Sequence, residues 1–344
     1  MRPIAHALGL KRGDPELREL SSGVHLHECR SHESRIPSPD YTLPVPTATK
    51  KWTTRQLLGW MSGAFTKADL DSPRLFAEML MGHVIGCDRL RLYMEPDRPA
   101  SPLELGNLRG LVERALKHEP VQYLTGEAWF FGLPLHVDRR VLIPRPATET
   151  IAEHVLQHAR GEPGFGHNVL IADVCTGSGA LAIVLGKNMP EARIIATDIS
   201  ADALEVAKLN AERHAVDERI EFLEGDLLSP LDEHPATRAK GTLHYLVCNP
   251  PYIPDDEWQG VAPNVKDHEP ERALRGGADG LDLVRPVFAH GPELLMPNGL
   301  ILVEIADSKG KEAVALAEAN KLLTDVQLVN DHEGLPRVVI GRRR

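Results

Sequence analysis

Residues 168–198 run as an apolar stretch, a turn with two glycines, the start of a helix and a second apolar stretch ending in an acid. Strands alternating with helices in this way specify an open, mainly parallel sheet, and few other architectures accept the pattern. In such sheets ligands gather beyond the carboxyl ends of the strands, so the residues that follow each strand are the candidate site. The first such turn runs from Asp173 through Cys175, Thr176, Gly177 and Ser178 to Gly179. Gly177 and Gly179 permit positive φ and a close approach of backbone to ligand, and Asp173 can meet a cation at the strand end. The turn lacks a P-loop lysine and the third glycine of a dinucleotide fingerprint, which argues against phosphate binding.

Two further strand ends sharpen this reading. The strand at 193–198 closes on Asp198, about twenty residues past the turn, a distance at which a carboxylate can accept from both hydroxyls of a ribose. The strand at 219–223 leads to Gly225, Asp226 and Leu227, an acid and an apolar side chain where an adenine can lie. Each acid taken alone is better explained as a helix N-cap. Three in order, with no phosphate cradle, describe a pocket for a nucleoside that carries positive charge, and S-adenosyl-L-methionine fits that description.

Asn249, Pro250, Pro251 and Tyr252 follow the apolar run 245–248, which reads as a short buried strand. Proline fixes its own φ and pushes the residue before it into an extended conformation, so Asn249 and Tyr252 stand on a stiff corner. The Asn249 side-chain oxygen and the Pro250 carbonyl can together accept both hydrogens of a planar amino group. The ring of Tyr252 can pack over the same group. A clamp of this kind orients a nitrogen lone pair, and orientation alone supplies up to roughly 7–11 kcal/mol of barrier reduction. By itself the tetrapeptide is also an ordinary turn after a strand.

The chain has 344 residues, enough for two domains or one with an appendage. A formal net charge of −10 argues against a general nucleic-acid binder, leaving room only for a local basic patch. No apolar run approaches a membrane span, and acids from Asp14 to Glu33 are unlike a transit peptide, so a cytoplasmic protein is expected. Cys29, Cys87, Cys175 and Cys248 are widely spaced and read as reduced thiols. Residues 1–50 show no sustained period and read as a flexible extension. His25, His27, Cys29 and His32 have zinc-binding types, yet no second ligand pair stands at the usual spacing, and a solvated tail is the preferred reading.

Residues 51–118 read as a helical domain of about four helices that grips a macromolecular substrate. Thr53 and Ser72 serve as N-caps, with Leu75, Met79, Leu80 and Val84 as one apolar stripe. Residues 119–146 alternate through Val121, Tyr123, Trp129, Phe131, Leu135 and Val137 and predict a β-hairpin linker. Residues 147–344 then form the α/β catalytic domain, with its last strands at 299–304, 324–330 and 337–341.

The order of the 173–179 turn, Asp198, Gly225 with Asp226, and Asn249 to Tyr252 resembles class I S-adenosylmethionine-dependent methyltransferases. More narrowly, residues 53–344 resemble the HemK/PrmC family of glutamine methyltransferases that modify peptide chain release factors. Residues 71–74, 119–123, 126–127, 143–146, 267–270 and 276–281 carry the likeness. The resemblance implies a seven-stranded Rossmann-like methyltransferase sheet, with a small N-terminal helical domain and a hairpin linker. It implies that residues 175–179 line the methionine and ribose part of the cofactor, Asp198 holds the ribose, and Asp226 with Leu227 flanks the adenine. Asn249 to Tyr252 hold the target glutamine, with Phe130 or Phe131 closing the pocket.

Three positions depart from the family pattern: Cys175 and Ala306 where glycine is usual, and Leu227 where an aromatic is common. Cys175 also occurs in the sister branch that methylates a ribosomal protein, which is the second reading. A DNA adenine methyltransferase and a non-catalytic cofactor-binding module are readings of another class. No general base is assigned; Glu269 and Glu304 are read as helix caps or salt-bridge partners.

Overall fold

The computed structural model describes residues 51–344 except Gly166. Residues 1–50, with the four zinc-type side chains, lie outside them. Helices at Thr54–Lys67, Pro73–Ile85, Arg89–Met94 and Pro102–Ala115 pack around Leu57, Met61, Phe65, Leu80 and Leu108. The first opens on a capping box, in which Thr53 Oγ1 accepts from Gln56 N (3.4 Å) and Gln56 Oε1 accepts from Thr53 N (3.2 Å).

Ser72 does not cap its helix. Its φ of +48° is left-handed, whereas a side-chain cap needs extended backbone, and only Pro73 marks the helix start. The buried face of that helix is Ala77, Leu80 and Met81, while Leu75 is 38% exposed. Glu78 shares the buried face and turns it inward because Arg74 and Arg89 neutralise its carboxylate at 2.8 and 2.6 Å.

Residues 121–125, expected in a strand, form a short helix that buries Val121, Tyr123 and Leu124 and ends at Gly126 with φ +72°. Apolar side chains at 121 and 124 suit a helical turn as well as 121 and 123 suit a strand, and packing on the helical core decides. The hairpin itself is β1 (Glu127–Phe130) and β2 (Leu133–His136). Phe131 and Gly132, at φ +50° and +75°, make the two-residue turn between them.

Seven strands form the main sheet: β3 (Leu170–Val174), β4 (Arg193–Asp198), β5 (Ile220–Glu224), β6 (Leu243–Cys248), β7 (Leu295–Glu304), β8 (Leu323–Asn330) and β9 (Pro336–Arg343). Their order is β5-β4-β3-β6-β7-β9-β8, with β9 antiparallel to both neighbours and the other pairs parallel. β3 and β6 are central, and their apolar side chains pack under helices on both faces, each contributing about 1.5–3 kcal/mol by burial. The chain runs outward to β5 and then returns to place β6 on the other side of β3. That reversal makes the carboxyl ends of β3 and β6 a crevice at a topological switch point.

Candidate active site

A cavity of about 750 Å³ opens at this crevice. Asp173 within β3 and Cys175, Thr176, Gly177 and Ser178 after it line the cavity, with Asp198 at the end of β4, Gly225, Asp226 and Leu227 after β5, and Asn249 and Pro251 after β6. Residues that sequence reasoning drew from four separate strand ends therefore share one wall. Among the expected residues, Gly179, Pro250 and Tyr252 are not on that wall. Gly179 heads the helix Ala180–Asn188 with φ +82°, and a Cβ there would lie 3.1 Å from Cβ of Ala207. Pro250 is buried, and Tyr252 turns its hydroxyl inward.

The 173–179 turn is held by its neighbours. Thr176 N donates to Thr197 O (3.0 Å) and Gly177 N to Asp198 Oδ2 (2.9 Å), while Ser200 N donates to Asp198 Oδ1 (2.9 Å). Asn210, wholly buried, donates to the carbonyls of His136 (2.9 Å) and Ser178 (3.0 Å), tying the hairpin to the turn. Cys175 carries φ +61°, a left-handed conformation that explains why glycine suits this position. Cys87, Cys175 and Cys248 are free thiols.

Asp173 Oδ2 accepts from Thr176 Oγ1 (2.7 Å) and Ala182 N (3.1 Å), but Oδ1 is buried with no partner. Burial pushes its pKa up to about 7 against those two hydrogen bonds, with the nearby Asp198 charge adding to the rise. Burial likewise raises Asp198, whose backbone donors and Arg272 oppose the shift. An orphaned carboxylate oxygen at a cavity wall calls for a cation, which fits the charged nucleoside the sequence suggested.

The two-proline corner is fixed from behind. Asn249 Nδ2 donates to Thr148 Oγ1 (3.0 Å), and the Tyr252 hydroxyl donates to Glu304 Oε1 (3.0 Å). Glu304 ends β7, the strand beside β6, and is wholly buried; burial raises its pKa and that of the Tyr252 phenol. Ile253 N donates to Leu274 O (2.8 Å), and Gly276 N to Ile253 O (2.9 Å). The 276–280 loop thereby lies backbone to backbone on the corner. A Cβ on Gly276 would meet Tyr252 Cα at 2.7 Å and Pro251 O at 2.8 Å.

Two expectations are corrected. Phe130 and Phe131 do not line the cavity, because the hairpin packs Phe130 into the core beside Leu135 and Ile151, and Phe131 N donates to Glu149 Oε1 (2.7 Å). Glu304 is neither a helix cap nor a salt-bridge partner but the acceptor for Tyr252. Glu269 does form a salt bridge, to Arg145, and accepts from Ile143 N (3.0 Å), so it secures the 143–146 segment. Sequence reasoning missed Thr148, whose partner lies 101 positions away. It also missed Arg272 and Arg275 on the cavity wall, for which no local signal exists.

A family described as PrmC N-terminal domain matches residues 56–126, and one described as methyltransferase small domain matches residues 147–264. The chain is 40% identical over 293 residues to the release factor glutamine methyltransferase of Chlorobaculum tepidum, covering 84% of this chain and 96% of that one. It is 36% identical over 291 residues to the protein of the same name from Geobacter sulfurreducens (85% and 97% covered). Against that from Moorella thermoacetica it is 38% identical over 293 residues (85% and 99%).

Proposed function

Because this chain belongs to the release factor glutamine methyltransferase family, we propose that it methylates the side-chain nitrogen of the glutamine in the Gly-Gly-Gln tripeptide of peptide chain release factors. The methyl donor is S-adenosyl-L-methionine and the site of action is the cytoplasm. Bound in the cavity, the donor supplies an electrophilic methyl group on a sulfonium that leaves as a neutral thioether. The observation that carries the reading is the shared wall: Asp173, Asp198 and Asp226 stand beside Asn249 on one cavity.

Asp173 Oδ1 is the acceptor for the positive charge of the donor, and Asp198 retains lone pairs for ribose hydroxyls. Leu227 offers apolar contact for the base, with Asp226 beside it. An amide nitrogen is a poor nucleophile because its lone pair is delocalised into the carbonyl, so positioning and exclusion of water must do the work. Asn249 Oδ1, left free by the Nδ2 bond to Thr148, accepts one N–H of the glutamine at the cavity wall. The carbonyl of Pro250, the next residue and itself behind that wall, is the acceptor for the other once the substrate reaches the corner. One of those protons is shed to solvent as the C–N bond forms. The helical domain at 51–118, the hairpin linker at 119–146 and the catalytic domain at 147–344 divide the work of gripping and transfer, and among the described residues no helix is long and apolar enough to cross a membrane.

Mass spectrometry of a release factor incubated with enzyme and donor tests this. One added methyl group on the tripeptide glutamine is expected. Label on a ribosomal protein or on duplex DNA instead, or donor binding without transfer to any protein, would contradict it.

A further inference from the structure

Four arginines stand on the cavity wall, Arg139, Arg140, Arg272 and Arg275, and among the described residues no lysine or histidine joins them. Three of the four are neutralised. Arg139 pairs with Glu119 (3.0 Å), Arg140 with Asp138 (2.7 Å) and Glu205 (3.0 Å), and Arg275 with Asp255 and Glu271 (2.6 Å each). Arg272 is exposed and, among the described residues, makes no hydrogen bond, ion pair or ring contact. Asp198, on the same wall, forms no ion pair with it and accepts instead from Gly177 N and Ser200 N.

The backbone that carries this free cation is fixed at both ends. Arg272 sits in a single helical turn, Glu271–Ala273, closed by Ala273 N donating to Pro270 O (2.9 Å) and Leu274 N to Glu271 O (3.0 Å). Before the turn, Glu269 is tied to Ile143 N and Arg145; after it, Leu274 O accepts from Ile253 N beside the two-proline corner. A rigid turn thus presents one long side chain to the cavity, and only its rotamers remain to be ordered by a ligand.

S-adenosyl-L-methionine carries three charged groups: the sulfonium, an α-ammonium and an α-carboxylate. The wall acids Asp173, Asp198 and Asp226 suit the two cations and the hydroxyls, but they repel the carboxylate. A guanidinium offers a planar fork of donors that matches both carboxylate oxygens. With three forks already occupied by protein acids, the wall leaves one for the donor.

We infer that Arg272 is a donor-binding residue whose guanidinium fork pairs with the α-carboxylate of S-adenosyl-L-methionine. The inference rests on that compound being the methyl donor of the proposed function, and it supplies the contact for the one part of the donor that the wall acids cannot hold.

Calorimetric titration of the full chain with S-adenosyl-L-methionine and with its decarboxylated form, which keeps the sulfonium, the amine and the nucleoside, tests it. The native protein should bind the intact donor about tenfold or more tightly than the decarboxylated one. Arg272→Gln should weaken the intact donor by about tenfold or more and leave the decarboxylated one within about threefold, so that the variant hardly tells the two apart. Arg272→Lys, which keeps the charge and loses the fork, should fall between native and Arg272→Gln for the intact donor. With release factor present, Arg272→Gln should raise the donor KM while kcat at saturating donor stays within about threefold.

Equal losses for the two donors in Arg272→Gln would place its effect on the nucleoside or the fold and overturn the inference, as would unchanged binding of the intact donor. Should Arg272→Gln fail to fold, Arg272→Lys decides by the same comparison: a loss confined to the intact donor supports the pairing, and equal or absent losses overturn it. A native protein that binds neither donor would contradict the proposed function and this inference with it.

Discussion

Val174 and Cys248 face each other across the parallel β3–β6 ladder, so the next residues, Cys175 and Asn249, leave the sheet side by side. One opens the glycine turn and the other the two-proline corner. Whatever the turn binds must lie beside whatever the corner holds, and a group can pass between the two ligands without a large rearrangement.

Asn249→Ala removes the proposed acceptor at the corner and leaves the glycine turn intact. Methyl transfer should fall about 100-fold or more, with donor affinity changed by less than about threefold. Single-turnover rates beside a donor titration measure both, and equal small losses would contradict the clamp.

Asp173 predicts a pH dependence of donor binding. Its carboxyl has an ordinary pKa near 3.9 in the unfolded chain and about 7 in the free folded protein. The proton is thus held more tightly after folding. The stability it contributes is fully present below about pH 4 and is lost as pH rises through about 7. A cation beside Oδ1 favours the carboxylate, so donor binding expels this proton. Affinity should strengthen by about tenfold from pH 6 to pH 8, and Asp173→Asn should flatten the profile. Calorimetry in buffers of different ionisation enthalpy counts the proton; no release in the native protein would count against this role.

Gly276→Ala, at the cavity wall, should damage transfer by displacing the corner. The new Cβ would press on Tyr252 Cα and Pro251 O, both backbone atoms of the corner that cannot rotate aside. A displacement of about 1 Å at the corner is enough for a loss of about 100-fold in kcat. Unchanged kcat with full stability would show that the corner tolerates movement.

Glu269→Ala should act on stability. It leaves Arg145 without its buried partner and Ile143 N without an acceptor, at a cost of about 3–5 kcal/mol. Urea denaturation should show the midpoint shift with the slope retained; an unshifted midpoint would mean the 143–146 segment is secured by other contacts.

The seven strands, the glycine turn and the two-proline corner were legible because each is written in consecutive residues. Apolar runs mark β3, β4 and β6, and glycine, proline or acid marks where each stops. The short helix at Val121–Thr125 was not, since three apolar residues in five satisfy both periods and only packing separates them. Nor were the ties behind the corner, Tyr252 to Glu304 and Asn249 to Thr148, which span 52 and 101 positions. Their residue types are common, and only the sheet order that sets β7 beside β6 makes Glu304 a neighbour of the corner. Phe130 was misplaced for a related reason: an aromatic in a hairpin can face core or cavity, and the register of Phe130 with Leu133 sends it to the core.

The most direct test of the account is a crystal structure with S-adenosylhomocysteine bound. Its sulfur should lie beside Cys175 and Asn249, leaving room for a carboxamide nitrogen about 3–3.5 Å from the methyl position while within hydrogen-bond reach of Asn249 Oδ1. A sulfur out of contact with the corner, or an Asn249 carbonyl turned away from it, would contradict the account.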